Sequence, residues 1–186
     1  MKICLVGNPN CGKSTIYNLL TKDGTSTGNW SGVTVSKKVG KVGDSKVEVV
    51  DLPGVYTIDS ALMSDDEIVA QEYIRSKDYD LIVNVVDAAN IQKSFFLTFQ
   101  LMKLGKPIIL VLNMLDSAGK KGKVIDPKML SDELGIKVFQ MVAKKGYGLD
   151  ALVDFIFSNP KIRKSEKIFE EHKYGKYARL ISRKCS

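Results

Sequence analysis

Long apolar runs are absent from this sequence of 186 residues. The segment PIILVLNML (107–115) is among the longest, whereas a helix needs roughly 18–20 apolar residues to span a bilayer. A signal peptide is not evident either, because Lys2 is followed at once by a strand-like run. These absences predict a soluble chain without a membrane-spanning segment of its own.

Cysteine and histidine are also scarce. Cys4, Cys11 and Cys185 have neither the spacing of a metal site nor that of a disulfide framework, and His172 is the one histidine. A reducing, cytoplasmic location is therefore favoured.

Acidic residues are scarce at the C-terminal end. The net charge is +7, and residues 161–186 contain nine Lys or Arg against three Glu, whereas residues 1–160 contain nineteen basic and eighteen acidic residues. Nucleic acid is not an expected partner, because the larger part of the chain is close to neutral. The basic tail is read either as a solvated extension or as the start of a following domain.

Strand-like and helix-like patterns alternate along the chain. Strands are predicted at 2–6, 35–42, 46–52, 81–87, 107–113 and 137–142. Helices are predicted at 13–21, 65–76, 91–104, 127–134 and 149–157. A hairpin around Gly43 and Asp44 would add one antiparallel strand at an edge. The pattern predicts an α/β fold with a mostly parallel six-stranded sheet and helices on both faces.

The stretch GNPNCGKST (7–15) lies between the first strand and the first helix. Its spacing fits the phosphate-binding loop G-x-x-x-x-G-K-[ST], in which glycines let successive amides point at a phosphate. Lys13 would reach the β- and γ-phosphates, and the Ser14 hydroxyl would bind Mg²⁺. A nucleotide-binding protein is therefore predicted.

Further polar residues follow predicted strands at the same edge of the sheet. Asp51 ends an apolar strand and would support Mg²⁺, and the amide of Gly54 would approach the γ-phosphate. Thr34, near the end of a glycine- and threonine-rich loop, would be a second hydroxyl on Mg²⁺.

The base end of the site is predicted from two later stretches. Asn113 and Asp116 follow a buried strand, and Ala143 follows the last one. A carboxylate that accepts from guanine N1 and N2 would reject adenine, which lacks that donor pair. The Ala143 N–H would meet guanine O6. Together with the phosphate loop, these stretches predict a GTP-binding domain.

The sequence resembles the G domain of FeoB-type prokaryotic ferrous iron transporters. The specific matches are GNWSGVTV (28–35), DLPGVY (51–56) and NMLD (113–116). The resemblance implies a Ras-like P-loop GTPase fold, with a G domain at 1–158 and the start of a following helical domain at 159–186. It also implies a cytosolic fragment at the cytoplasmic face of the cell membrane, whose membrane-spanning iron-transport domain is missing. Assembly of several copies is left open.

The resemblance further implies site residues. Catalytic roles would fall to Asn10, Lys13, Thr34 and Gly54. The guanine nucleotide would contact Gly7, Asn8, Pro9, Asn10, Cys11, Gly12, Lys13, Ser14, Thr15, Asp51, Gly54, Asn113, Met114, Asp116, Val142, Ala143 and Lys144. Mg²⁺ would bind at Ser14, Thr34 and Asp51. A K⁺ ion would be held by Asn10 and by carbonyls near Gly28 and Trp30.

Slow hydrolysis is predicted because the usual catalytic side chains are missing. Val55 stands where Ras-like enzymes place the glutamine that orients water, and the loop before Thr34 contains no arginine. The expected rate is on the order of 10⁻⁴–10⁻² s⁻¹ unless another group substitutes. The resemblance implies that a K⁺ ion beside the bridging oxygen would be that group.

Two other functions are compatible with the motifs. RNA- or ribosome-associated GTPases of the Era and Der type share the G-N-P-N loop, and the basic tail mildly favours them. A P-loop protein that binds nucleotide without turnover is compatible with Val55.

Overall fold

A β-sheet forms the centre of the computed structural model, which describes residues 1–22, 25–30, 35–59, 64–158, 162 and 165–185. The strands are β1 Lys2–Gly7, β2 Thr25–Asn29, β3 Ser36–Lys41, β4 Glu48–Asp51, β5 Leu81–Asp87, β6 Ile108–Asn113 and β7 Lys137–Gln140. The helices are α1 Lys13–Thr21, α2 Asp65–Ser76, α3 Ile91–Lys103, α4 Leu115–Lys120, α5 Pro127–Leu134, α6 Leu149–Phe157 and α7 Tyr174–Lys184. Short 3₁₀ turns lie at Ala88–Asn90, Ala143–Lys145 and Glu171–Lys173.

The strands run in the order β2-β3-β4-β1-β5-β6-β7. β4, β1, β5, β6 and β7 are parallel, and β3 pairs antiparallel with β4 through the predicted hairpin. The six predicted strands are confirmed. The described residues add a seventh strand, β2, which pairs antiparallel with β3 and extends the sheet by one strand at that edge.

Helices cover both faces of the sheet, as predicted. Alternate residues of a strand point to opposite faces. Ile3 and Leu5 pack in one core with α1 and α6, whereas Cys4 and Val6 pack in the other with α2, α3, α5 and α7. Because β1 is buried on both sides, its sequence is almost continuously apolar.

Two helices were not predicted from the sequence. α4 is six residues long and begins directly after β6, so it has little room for a periodic apolar pattern. α7 lies in the basic tail, where Tyr174, Ala178 and Ile181 are buried at helical spacing among many charged residues. The expectation of a merely solvated tail is therefore wrong for this segment. Within the described part of the chain, no helix is long and apolar enough to cross a membrane.

A polar link between β5 and α3 is enclosed in the core. Thr98 Oγ1 donates to Asn84 Oδ1 at 2.7 Å and lies 3.1 Å from Ser94 O, and Asn84 Nδ2 donates to Val6 O at 3.4 Å. Asn84 and Thr98 are 1% and 0% exposed. The link therefore satisfies polar groups that cannot reach water.

We expect Thr98→Val to lower the free energy of unfolding by about 1–3 kcal/mol, because Asn84 Oδ1 would stay buried without a donor. The matched control is Thr21→Val. Thr21 is also buried in a helix, but its hydroxyl donates to the helical carbonyl of Tyr17, which retains its backbone partner. Urea denaturation measures both variants, and equal losses would contradict the role given to this link.

Candidate nucleotide site

The predicted phosphate loop forms one wall of a cleft of about 460 Å³ at the carboxyl end of β1. The residues that line it are Asn8, Pro9, Asn10, Gly12, Lys13, Ser14, Thr15, Gly54, Met114 and Lys144. Gly12 directly precedes α1 and has a φ of +87°, and a Cβ there would overlap the Asn113 amide nitrogen. Both the positive φ and the lack of space for a Cβ therefore require glycine at position 12.

Asp51 contacts both Lys13 and Ser14 of the phosphate loop. Lys13 is 7% exposed, and its Nζ forms an ion pair with Asp51 Oδ1. Ser14 Oγ donates to Asp51 Oδ2 at 2.8 Å. This arrangement follows from the sheet order, because β4 lies beside β1 and Asp51 is level with Leu5.

A second opening, of about 370 Å³, lies against the same ion pair. It is lined by Lys13, Ser14, Val35, Ser36, Lys38, Asp51, Leu52, Pro53, Gly54 and Asp66. Lys38 and Asp66 were not predicted as site residues. Asp66 lies in the first turn of α2, where an acidic residue is explained by helix capping alone, and so the sequence contains no separate signal for it.

Gly54 and Val55 press against the phosphate loop. A Cβ on Gly54 would lie 2.9 Å from the Pro9 backbone, and the Val55 N–H donates to Gly7 O at 3.1 Å. The Val55 side chain is 0% exposed. It packs in the core and is not available to orient a water molecule in the cleft.

Asn113 joins the phosphate loop to the loop that follows β7. Its Nδ2 donates to Cys11 O at 2.9 Å, and its Oδ1 accepts from the Ala143 N–H at 3.0 Å. The sequence predicts that the Ala143 N–H donates to guanine O6, but in this structure it donates to Asn113 Oδ1. The next amide, that of Lys144, has no hydrogen-bond partner among the described residues.

The other predicted base contacts are close to Asn113 and Ala143 in sequence, and two of them line the cleft. Met114, with a φ of +62°, and Lys144 line the cleft. Asp116 is in the first turn of α4, where its Oδ1 accepts from the Ser117 N–H at 2.9 Å. Val142 pairs with Tyr147, its N–H donating to the Tyr147 carbonyl at 3.1 Å.

The predicted K⁺ ligands are not brought together. Asn10 is exposed in the cleft with a φ of +63°. Gly28 belongs to the edge strand β2, and the Trp30 N–H donates to Val35 O while its ring packs 5.1 Å from that of Tyr73. Neither lines the cleft. Thr34 lies outside the described residues.

The family model for ferrous iron transport protein B matches residues 1–156. The chain belongs to this family. The Fe(2+) transporter FeoB of Salmonella typhimurium is 47% identical over 156 residues, which are 82% of this chain and 20% of the relative. That of Legionella pneumophila (strain Paris) is 43% identical over 152 residues, or 80% and 20%. The chain thus spans about a fifth of the length of these relatives.

Solved structures of family members share the fold. The cytosolic domain of L. pneumophila FeoB has a TM-score of 0.82 at 40% identity, over 90% of this chain and 66% of that one. A point mutant of S. thermophilus NFeoB bound to mGDP has a TM-score of 0.77 at 42% identity, over 82% and 58%. The fold is the Ras-like P-loop GTPase fold, as predicted.

Cys11 lies in the phosphate loop but packs into the protein. A loop position beside Lys13 and a helix amino terminus would favour a reactive thiolate. However, the side chain is 1% exposed, and burial raises the pKa of the Cys11 thiol to about 11. A Cβ on Gly7 would lie 2.7 Å from its sulfur, so the thiol packs inward against the glycine.

We expect native Cys11 to react slowly with iodoacetamide at pH 8, with or without nucleotide, because the neutral thiol predominates below a pKa of about 11. The labelling rate should rise with pH toward that value and become fast in urea. Cys4 and Cys185 are also buried, with raised pKa values. Peptide mass spectrometry assigns each site. Rapid labelling of Cys11 at pH 8 that nucleotide suppresses would contradict the buried thiol.

Proposed function

We propose that this chain binds GTP and GDP and hydrolyses GTP slowly, as the regulatory G domain of a membrane protein for ferrous iron uptake. The observation that carries the proposal is the Asn113 bridge between Cys11 and Ala143. This bridge connects the phosphate loop to the loop after β7, so the proposed phosphate-binding and base-binding ends would lie at a fixed separation.

The phosphate end has the chemistry that a Mg²⁺-nucleotide requires. The Ser14 hydroxyl and the Asp51 carboxylate are hard oxygen ligands 2.8 Å apart, which suits Mg²⁺. Bound there, Mg²⁺ would neutralise charge on the β- and γ-phosphates. Lys13 would exchange its contact with Asp51 for one with these phosphates, so that its buried charge stays paired throughout. Thr34 is proposed as the residue that completes this end in the triphosphate state.

The base end would select guanine through Asp116, whose carboxylate accepts from N1 and N2. The Lys144 amide, beside Ala143, would donate to O6. Two similar solved structures, mutants of S. thermophilus NFeoB bound to GDP and to GMPPNP, support guanine nucleotides as ligands.

Hydrolysis would be slow because Val55 is buried and offers no hydrogen bond to water. We propose that the Asn10 amide oxygen would hold a K⁺ ion, which would supply additional positive charge for hydrolysis. Gly28 and Trp30 would contribute carbonyls after the segment around them changes its pairing with β3. Gly54 and Lys13 would act on the γ-phosphate through their N–H groups.

The wider role follows from the relatives, which are Fe(2+) transporters about five times as long as this chain. We propose that residues 1–158 form the G domain and that 159–186 begin a helical domain, of which α7 is one helix. The G domain would then lie at the cytoplasmic face of the membrane, linked to a membrane-spanning iron-transport domain. Family membership argues against the RNA-associated alternative of the Era and Der type.

Asp116→Asn is expected to weaken GDP binding by about 100-fold or more, which is about 2.7 kcal/mol, and to improve binding of xanthosine diphosphate. The amide can donate to the xanthine O2, whereas it no longer accepts from two guanine donors. Asp132→Asn, the same change at an exposed site on α5, is the control. Titration of fluorescent nucleotide analogues measures both. Equal affinity of the unmodified chain for GDP and ADP would contradict the guanine assignment.

GTP turnover is expected to be at least tenfold faster in K⁺ than in Na⁺, which corresponds to about 1.4 kcal/mol in the barrier. Asn10→Ala should remove the difference with little change in GDP affinity, because the ion acts in the transition state.

Asn10 has a positive φ, so alanine adds strain there. Asn10→Gly removes the same amide without that strain and is the control variant. If both variants keep the K⁺ effect, or if the unmodified chain turns over equally in both salts, the ion mechanism is wrong while nucleotide binding stands.

A further inference from the structure

A second cleft, of about 500 Å³, lies away from the phosphate loop. It is formed by the beginning of α3, the loop between α4 and α5, and the C-terminal half of α7. Ile91 and Ile125, each 5% exposed, are apolar residues of its lining. Its volume is within the range of small-molecule sites, about 300–1,000 Å³.

Four cationic side chains line this cleft, namely Lys93, Lys123, Arg179 and Arg183. The lining contains no aspartate or glutamate among the described residues. Lys123 Nζ donates to Ala89 O at 2.8 Å, which fixes its position without neutralising its charge. The cleft therefore concentrates positive charge from three parts of the chain.

Neighbouring cations are neutralised, whereas these four are not. Lys103 pairs with Glu171 at 3.0 Å, and Lys184 pairs with Glu133 at 2.7 Å. Over the part of the chain that the structure describes, the four cleft cations have no carboxylate within 4.0 Å. Their mutual repulsion would be relieved by a bound anion.

The acidic residues that are nearest in sequence to the cleft lining, Asp87 and Asp126, accept hydrogen bonds from neighbouring groups of the chain. Asp87 accepts from the Ala89 N–H at 2.8 Å and from Asn90 Nδ2 at 2.7 Å. Asp126 accepts from two backbone amides at the start of α5, at 2.8 and 3.1 Å. Both carboxylates stabilise turns of the backbone.

The arrangement of the arginines indicates which anion would fit. Arg179 and Arg183 are four residues apart on α7, so they project from the same face of the helix. A guanidinium presents a planar pair of donors that matches phosphate oxygens, and two of them with two lysines suit a group of more than one negative charge. Ile91 and Ile125 would contact the part of the ligand to which the phosphate is attached.

We propose that this cleft is a second anion site, which binds the phosphate group of a small phosphorylated molecule or of an anionic lipid headgroup. The two sources share the chemistry that the cleft recognises. The site is separate from the nucleotide cleft, because no described residue lines both. It also gives the basic α7 a function that the G domain does not require.

Pyrophosphate titration of the ¹⁵N-labelled 186-residue chain, at constant ionic strength, tests the proposal by NMR. Amides near Gln92, Arg179 and Arg183 should shift with their own saturation curve, independently of amides in the phosphate loop (12–15). Because the amides near each cleft report on that cleft alone, loss of pyrophosphate binding at the second cleft is observed separately from loss of binding at the phosphate loop.

The decisive variant combines Arg179→Gln with Arg183→Gln. We expect pyrophosphate affinity at the second cleft to fall at least tenfold, with an unchanged melting temperature and unchanged binding at the phosphate loop. Lys41→Gln with Lys46→Gln removes the same charge from the exposed β3–β4 hairpin and should change the affinity less than twofold. Arg179→Lys with Arg183→Lys keeps the charge without the planar fork and should give an intermediate affinity.

Vesicle sedimentation separates the two sources. Binding to phosphatidylcholine vesicles that contain phosphatidylglycerol, lost in the Arg→Gln pair and displaced by pyrophosphate, identifies a lipid headgroup. Pyrophosphate binding without vesicle binding identifies a soluble phosphate compound. The proposal is overturned if pyrophosphate leaves the cleft amides unshifted, or if the hairpin control loses as much affinity as the Arg→Gln pair.

Discussion

The carboxylate of Asp51 is the contact on which the phosphate end of the cleft depends. It receives both the Lys13 ammonium and the Ser14 hydroxyl in a place where Lys13 and Asp51 are nearly excluded from water. A buried charge without a partner costs several kcal/mol. Lys13 can therefore leave Asp51 only when another anion takes its place. The ion pair thus keeps the lysine buried and positioned until phosphate oxygens compete for it, and the sheet order fixes this geometry by placing β4 beside β1.

Asn113 plays the corresponding part at the other end. One side chain accepts from Ala143 and donates to Cys11, so it fixes two loops that follow different strands. The side chains of Cys11 and Ala143 are buried in the same apolar core, so the bridge adds directional hydrogen bonds to loops that packing already brings together. The absence of a Cβ on Gly12 is part of the same contact, because any larger residue there would displace the Asn113 amide.

Most of the sheet and the phosphate loop could be predicted because their signals are local. β1, β5 and β6 are apolar on both faces, and the loop has fixed spacing. The strand β2 could not be predicted, since TSTGN is polar and forms a strand only through its pairing with β3. The helix α7 could not be predicted either, because its three buried residues stand among many charged ones. The Asn113–Ala143 contact and the inward packing of Cys11 depend on how distant loops meet, which no local pattern encodes.

Helix α3 contacts both the region after Gly54 and the basic helix. Gln100 Oε1 accepts from the Thr57 hydroxyl and the Ile58 N–H, each at 3.0 Å, which ties the chain after Gly54 to α3. One residue away, the Phe99 ring lies 5.2 Å from that of Tyr174 at the start of α7. These contacts form a continuous packed path from the Gly54 side of the cleft to the basic tail.

Packing alone does not transmit a signal along this path, because coupling requires an element with two discrete arrangements that both ends favour differently. The segment at 57–59 is the part of the path nearest to Gly54. It is held by hydrogen bonds from Gln71 and Arg75 to the Ile58 carbonyl as well as by Gln100. Its release would therefore cost several hydrogen bonds, which hold the segment in the one arrangement that this structure shows.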